Sequence, residues 1–241
     1  MQERIQKILS RHGVASRRDV EEMLKAGRIS VNGELAAVGQ KADDDVDAIE
    51  IDGVKLAPAS NKVYIILYKP RGFLTAVRDD RGRRTVVELV ESCGQRVYPV
   101  GRLDLDSEGL LIMTNDGELT NILTHPSNEK VKTYRVYVVG DVDHALGLLR
   151  SPLTIDGYRI RPAEVNIMEK QQNRGVLSIA IHEGRNRQIR KMCACCGLKI
   201  SRLIRVAEGG IELGNLAPGE WRYLTDDEVE LLYGKKHPPE L

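Results

Sequence analysis

The spacing of hydrophobic positions changes near residue 60. Up to that point the chain reads as a short helical module followed by a hairpin. Ile5, Ile8 and Leu9 mark one face of a helix, which Gly13 ends. Ser16, with Asp19 three residues on, opens a second helix. Its stripe is Val20, Met23 and Leu24, and Gly27 stands where a helix stops. Ile29-Ser30-Val31, the turn Asn32-Gly33 and Glu34-Leu35 form a hairpin signal, and Ala48-Ile49-Glu50-Ile51 a further strand. Residues 56–62 have linker composition. The expected domains are 1–60 and 61–241.

From Val63 onward, short strands dominate. The pattern predicts strands over 63–68, 98–100, 109–114, 133–139, 158–161, 176–181 and 202–206. Helices are expected over 118–123, 143–149, 186–196 and 226–232, the last opened by Thr225 with Glu228 as a capping box. Strands mixed with irregularly placed helices indicate an α+β fold with a mostly antiparallel sheet.

Composition adds little until charge is placed along the chain. The chain has 241 residues, 41% of them hydrophobic and 29% charged, and a net charge of only +1. No apolar run approaches the ~20 residues of a membrane span. The first residues are charged and lack the apolar core of a signal peptide, so a cytoplasmic protein without membrane contact is expected. The basic residues are segregated. Seven lie between Gly184 and Arg205 with no acid among them, and seven lie between Arg4 and Arg28 against three acids. Two basic regions suit a large polyanion. Cys193 and Cys196 form a C-x-x-C, but they share a helical face with Ile189 and Met192, where cysteine acts as a small hydrophobe. Cys195 points off that face, a candidate free thiol.

The candidate chemistry lies in Gly101-Arg102-Leu103-Asp104-Leu105-Asp106-Ser107-Glu108-Gly109, a loop between apolar runs. A scaffold can hold a reactive acid still in such a loop. On sequence grounds Asp104 and Asp106 are equal candidates. The chain has no Walker A loop, dinucleotide fingerprint, H-E-x-x-H helix or G-x-S-x-G elbow, and neither cofactor nor metal is expected.

The first segment resembles an S4 RNA-binding module. The resemblance is carried by Ala15-Ser16-Arg17-Arg18 and Gly27-Arg28-Ile29-Ser30-Val31-Asn32-Gly33, and it implies RNA contacts at Arg4, Lys7, Arg17, Arg18 and Arg28. The whole chain resembles the RsuA/RluB branch of the pseudouridine synthases. That likeness rests on Tyr68-Lys69-Pro70-Arg71-Gly72, Gly101-Arg102-Leu103-Asp104, Lys132-Thr133-Tyr134, the run from Glu183 to Arg190, and Ser201-Arg202-Leu203-Ile204-Arg205. The run from Leu216 to Thr225 belongs to the same pattern.

The resemblance implies a catalytic Asp104, an active-site Tyr134 and an Arg190 that pairs with the aspartate, with Ile189 against the base. Lys69 is expected in an RNA or loop contact, and the basic residues Arg102, Arg187 and Arg205 are candidate substrate contacts to phosphate. The implied activity is isomerisation of a uridine in ribosomal RNA, with 23S favoured over 16S. The partner is then ribosomal RNA, in a pre-ribosomal particle or free, and a monomer is expected. Two rivals remain at this level. One is a ribosome-associated RNA-binding protein without catalysis. The other is a glycosidic hydrolase using Asp104 and Glu108 as paired acids.

Overall fold

The computed structural model describes residues 1–234, which form two compact units. One is Met1–Val63 with Asn115–Gly117, and the other runs over Tyr64–Thr114 and from Glu118 onward.

In the first unit, helices Ile5–Arg11 and Arg17–Lys25 bury Ile5, Ile8, Leu9, Val20 and Leu24 against Ile29, Val31 and Ile49. Ser16 caps the second helix by accepting from the Asp19 backbone N–H at 3.2 Å. A four-stranded antiparallel sheet has the order Glu34–Leu35, Ile29–Val31, Ile49–Ile51, Val54–Lys55. Asn32 and Gly33 both take positive φ (53° and 85°), the two-residue turn that suits strand twist.

The second unit is built on a nine-stranded sheet. Its main order is Glu164–Gln171, Arg174–Ile181, Lys132–Val139, Lys199–Glu208, Glu108–Thr114, Tyr64–Lys69, Trp221–Tyr223. Every pairing is antiparallel except that of Lys199–Glu208 with Glu108–Thr114. Glu108–Thr114 is buried along its whole length, as expected of a central strand covered on both faces. One face packs Ile66, Leu110, Ile112 and Ile204 under Leu119, Leu123 and Leu232, from helices Gly117–Thr124 and Asp226–Tyr233. Helix Gln188–Cys195 packs against Lys199–Glu208, and helix Val142–Arg150 against Glu164–Gln171.

The one parallel strand pair of this sheet carries a close backbone approach. Gly109 pairs with Arg205 at φ 110°, and a Cβ there would stand 2.2 Å from the Arg205 carbonyl oxygen. Only glycine fits, and its absence of side chain lets the 101–107 loop lie directly beside Arg205.

Several elements went unread in the sequence, the longest being a strand and a 3₁₀ helix of eight residues each. Strand Glu164–Gln171 buries only Val165, so it shows no alternation. The 3₁₀ helix Val86–Cys93 is opened by a Thr85/Glu88 capping box. Helix Gln188–Cys195 also starts two residues later than expected, because Arg187 before it is left-handed, with φ 52°.

Candidate active site

The Asp104 loop is held from beneath. The Lys69 ammonium, fully buried, donates to the carbonyls of Pro70 (3.1 Å), Asp104 (3.0 Å) and Ser107 (2.9 Å). The Thr75 hydroxyl donates to Leu103 O at 2.8 Å and accepts from Leu103 N at 3.2 Å. Gly72 N donates to Leu105 O at 2.9 Å. Burial pushes the Lys69 ammonium down to about 8, against the pull of Asp104, Asp106 and Glu108.

Of the two contacts expected for Lys69, RNA or loop, the structure shows the loop contact and leaves no surface for RNA. The three ammonium donors are committed to backbone carbonyls and no part of the side chain reaches solvent. Its role is to fix the path of the loop that carries Asp104.

The loop opens on a cleft of about 420 Å³. Strand Lys132–Val139 supplies Tyr134, helix Gln188–Cys195 supplies Ile189 and Arg190, and the loop supplies Asp104. Arg102 and Arg187 are exposed along its lining. Asp104 Oδ2 lies 3.4 Å from Arg187 Nη1 and 3.7 Å from Arg190 Nε. The pairing with Arg190 is thus present but long, and Arg187 stands closer. Arg190 Nη2 donates to Asp106 O at 3.0 Å and to Ser107 Oγ at 3.1 Å, tying the helix to the loop. Burial pulls the Arg190 guanidinium below its usual range.

The structure separates the two candidate aspartates. Asp104 lines the cleft with its side chain 28% exposed, whereas Asp106 lies outside the lining at 52%. Asp106 is held by Arg187 through two bonds, at 3.1 and 3.2 Å. Glu108, the second acid of the hydrolase reading, is buried and turned away from the cleft. It accepts from Arg202 at 2.8 and 2.9 Å and from the Tyr68 hydroxyl at 3.2 Å, and Arg71 lies 3.1 Å away. These cations hold its carboxyl below the usual range.

Arg205 also departs from its expected place. It is 1% exposed, its Nε donates to Leu110 O at 2.8 Å, and its Nη2 lies 3.1 Å from Glu208. A guanidinium enclosed in this way is part of the cleft floor and cannot reach out to a phosphate. Burial raises the Tyr134 phenol, which is 8% exposed beside it.

In the first unit Arg4, Lys7, Arg17 and Arg18 are exposed around one shallow groove. Lys7 pairs with Glu3. Arg28 stands apart, paired by Asp52 at 2.5 Å, and does not share that groove.

Sequence reasoning missed Thr75 and Gln188. Gln188 is buried, and its Oε1 accepts from Arg185 N at 3.0 Å at the start of the helix. Its place inside a conspicuous basic run was the only available signal.

An acid, a phenol and guanidiniums gather in one cleft on a mostly antiparallel sheet, in a chain whose first unit carries a basic two-helix module. Residues 63–195 match the family model of RNA pseudouridylate synthases and residues 3–44 that of S4 domains. The chain belongs to the RNA pseudouridylate synthase family and is an isomerase, a pseudouridine synthase. It is 41% identical to an uncharacterized RNA pseudouridine synthase of Aquifex aeolicus, across 99% of this chain and 98% of that protein. It is 39% identical to the ribosomal large subunit pseudouridine synthase B of Bacillus subtilis, across 95% of each. A crystal structure of a pseudouridylate synthase, 26% identical, superposes with a TM-score of 0.65 across 95% of this chain and 99% of that one.

Proposed function

We propose that this chain converts a uridine of large-subunit ribosomal RNA to pseudouridine, with Asp104 as the catalytic carboxylate. One observation carries the assignment: Asp104 is the only carboxylate of its loop that lines the cleft, and Tyr134, Ile189 and Arg190 line the same cleft. The reaction breaks the N1–C1′ bond, turns the base and joins C5 to C1′. The nucleotide first leaves its stack, at a cost of a few kcal/mol. Uracil then lies on Tyr134 and against Ile189, and Arg102 and Arg187 at the rim hold phosphates. Asp104 acts as an anion, on carbon or on a proton. The guanidiniums of Arg187 and Arg190, 3.4 and 3.7 Å from its Oδ2, keep it aimed.

The large-subunit target is supported by the name of the Bacillus subtilis relative, and by that of a Vibrio cholerae relative, 39% identical across 96% of this chain and 74% of that protein. The basic groove of the first unit serves as a second RNA contact, with Arg4, Arg17 and Arg18 as its cations. We assign the enzyme to the cytoplasm as a monomer acting on free or pre-ribosomal RNA. No helix among the described residues is long and apolar enough to cross a membrane.

Carbodiimide treatment of 23S and 16S rRNA, followed by primer extension, tests the target. Loss of a single 23S stop in cells lacking the protein is the expected outcome. A lost 16S stop reassigns the target to the small subunit. No lost stop in either RNA favours a protein that binds RNA without modifying it.

A further inference from the structure

Outside the cleft, where the Asp104 loop runs into strand Glu108–Thr114, two arginines share one carboxylate. The Glu108 side chain is 7% exposed. Arg202, on the parallel neighbour Lys199–Glu208, occupies both of its oxygens, Nε donating to Oε1 at 2.8 Å and Nη2 to Oε2 at 2.9 Å. The Tyr68 hydroxyl donates to Oε2 as well, at 3.2 Å. That set already satisfies a buried carboxylate. Arg71 is added to it, with Nε 3.1 Å from Oε1 and Nη2 donating to the Ser201 carbonyl at 2.9 Å. Two cations against one anion leave a positive charge in excess.

That excess faces solvent. The Arg71 and Arg202 side chains are 45% and 43% exposed, and neither belongs to the cleft lining. Among the described residues the Nη1 of each has no hydrogen-bond partner. Arg202 is also set over the Tyr137 ring, 5.7 Å from its centroid, within the range of a cation–π contact. Both guanidiniums are thus ordered in the free protein, with N–H groups left for an anion. An arginine ordered beforehand binds phosphate without the rotamer entropy that a loose one loses.

Position says which anion. Glu108 follows Asp104 by four residues, so at most ~14 Å separates their Cα atoms. The turn carrying Arg71 is bonded to the Asp104 loop, Gly72 N donating to Leu105 O at 2.9 Å. A nucleotide in the cleft brings phosphates of its own strand to this side of the loop. We propose that Arg71 and Arg202, held in place by Glu108, clamp RNA backbone phosphate outside the catalytic cleft, on nucleotides flanking the uridine. The clamp rests on RNA being the substrate. It does not depend on Asp104 being the reactive acid or on the large-subunit target.

The test is the salt dependence of binding by the full chain to trace 23S and 16S rRNA transcripts, by filter binding over a KCl series. Each phosphate contact releases counterions, so losing one lowers the slope of log affinity on log salt by about 0.7–1. Arg71→Gln should show that loss, with an affinity about three- to tenfold lower at physiological salt, and Arg71→Lys should keep most of the slope. Arg202→Gln should lose slope in the same way. Should it fail to fold, Arg71→Gln decides alone, since Arg202 still satisfies Glu108 in that variant. Lys170→Gln removes one charge on edge strand Glu164–Gln171, four strands away in the sheet order, and should leave the slope unchanged. A lowered Tm with the wild-type slope on both RNAs, the signature of a purely structural ion pair, overturns the proposal. So does an equal loss of slope in Lys170→Gln. A lost slope in a protein that forms no pseudouridine in either RNA overturns the proposed function and leaves the clamp standing.

Discussion

Asp104 and Asp106 sit two positions apart, and their surroundings give them different work. Asp106 is half exposed and bound by Arg187, an arrangement that contributes about 1 kcal/mol or less. Asp106→Asn should therefore slow pseudouridine formation by about fivefold or less, measured as single-turnover rates on a fixed RNA. Apart from the family resemblance, nothing in the sequence distinguished the two acids, because side-chain direction in a loop follows from backbone anchors far away in the chain. Those anchors are Thr75 and Lys69.

Lys69 gives a second residue-scale prediction. The folded ammonium holds its proton to about pH 8 and the unfolded one to 10.5. The unfolded chain thus binds more protons between those values, so this group makes the fold more stable as pH rises through that window. Below about 8 its burial cost is present in full. Urea midpoints of the wild type should show that upward contribution relative to Lys69→Met. At pH 7 the same variant should lose about 1–3 kcal/mol, because three buried carbonyls lose their donor. In sequence a lysine beside the Pro-Arg-Gly turn looks like a surface cation. Only the fold shows it enclosed.

At the scale of elements, most of the architecture was legible where burial was one-sided. The stripes of the two N-terminal helices, the Asn32-Gly33 turn and the apolar run before Thr114 all announce themselves through spacing. Strand Glu164–Gln171 did not, since solvent reaches nearly all of its side chains. The parallel pairing of Lys199–Glu208 with Glu108–Thr114 was equally hidden, because a register between distant segments leaves no local pattern. Gly109 is its one trace. Gly109→Ala should force the strands apart at the Arg205 carbonyl and strain a positive φ. A lowered Tm together with lost pseudouridine formation is expected, since the same contact seats both the Asp104 loop and Arg205. An alanine variant with wild-type Tm and rate contradicts that role.

For the whole molecule, the chain separates into two compact units, each with its own buried cluster in which local hydrophobic spacing already pointed to a core. The residues Asn115–Gly117 associate with the first unit through bonds to the 60–63 stretch: Asn115 accepts from Val63 N at 2.8 Å and donates to Asn61 O at 2.9 Å. A chain starting at residue 61 keeps those bonds. It should unfold in one cooperative transition by circular dichroism, yet bind target RNA at least tenfold more weakly in filter binding, because the Arg4, Arg17 and Arg18 groove is gone. Aggregation of that chain, or undiminished affinity, contradicts the division of labour. Net charge gave no hint of RNA; the segregation of cations along the chain did, and the two basic regions lie one in each unit.

The most direct test compares wild type with Asp104→Asn on one uridine-containing target RNA, scoring pseudouridine at nucleotide resolution and RNA affinity in parallel. The account predicts complete loss of conversion with affinity within a few fold of wild type. Continued turnover by the asparagine variant would contradict it.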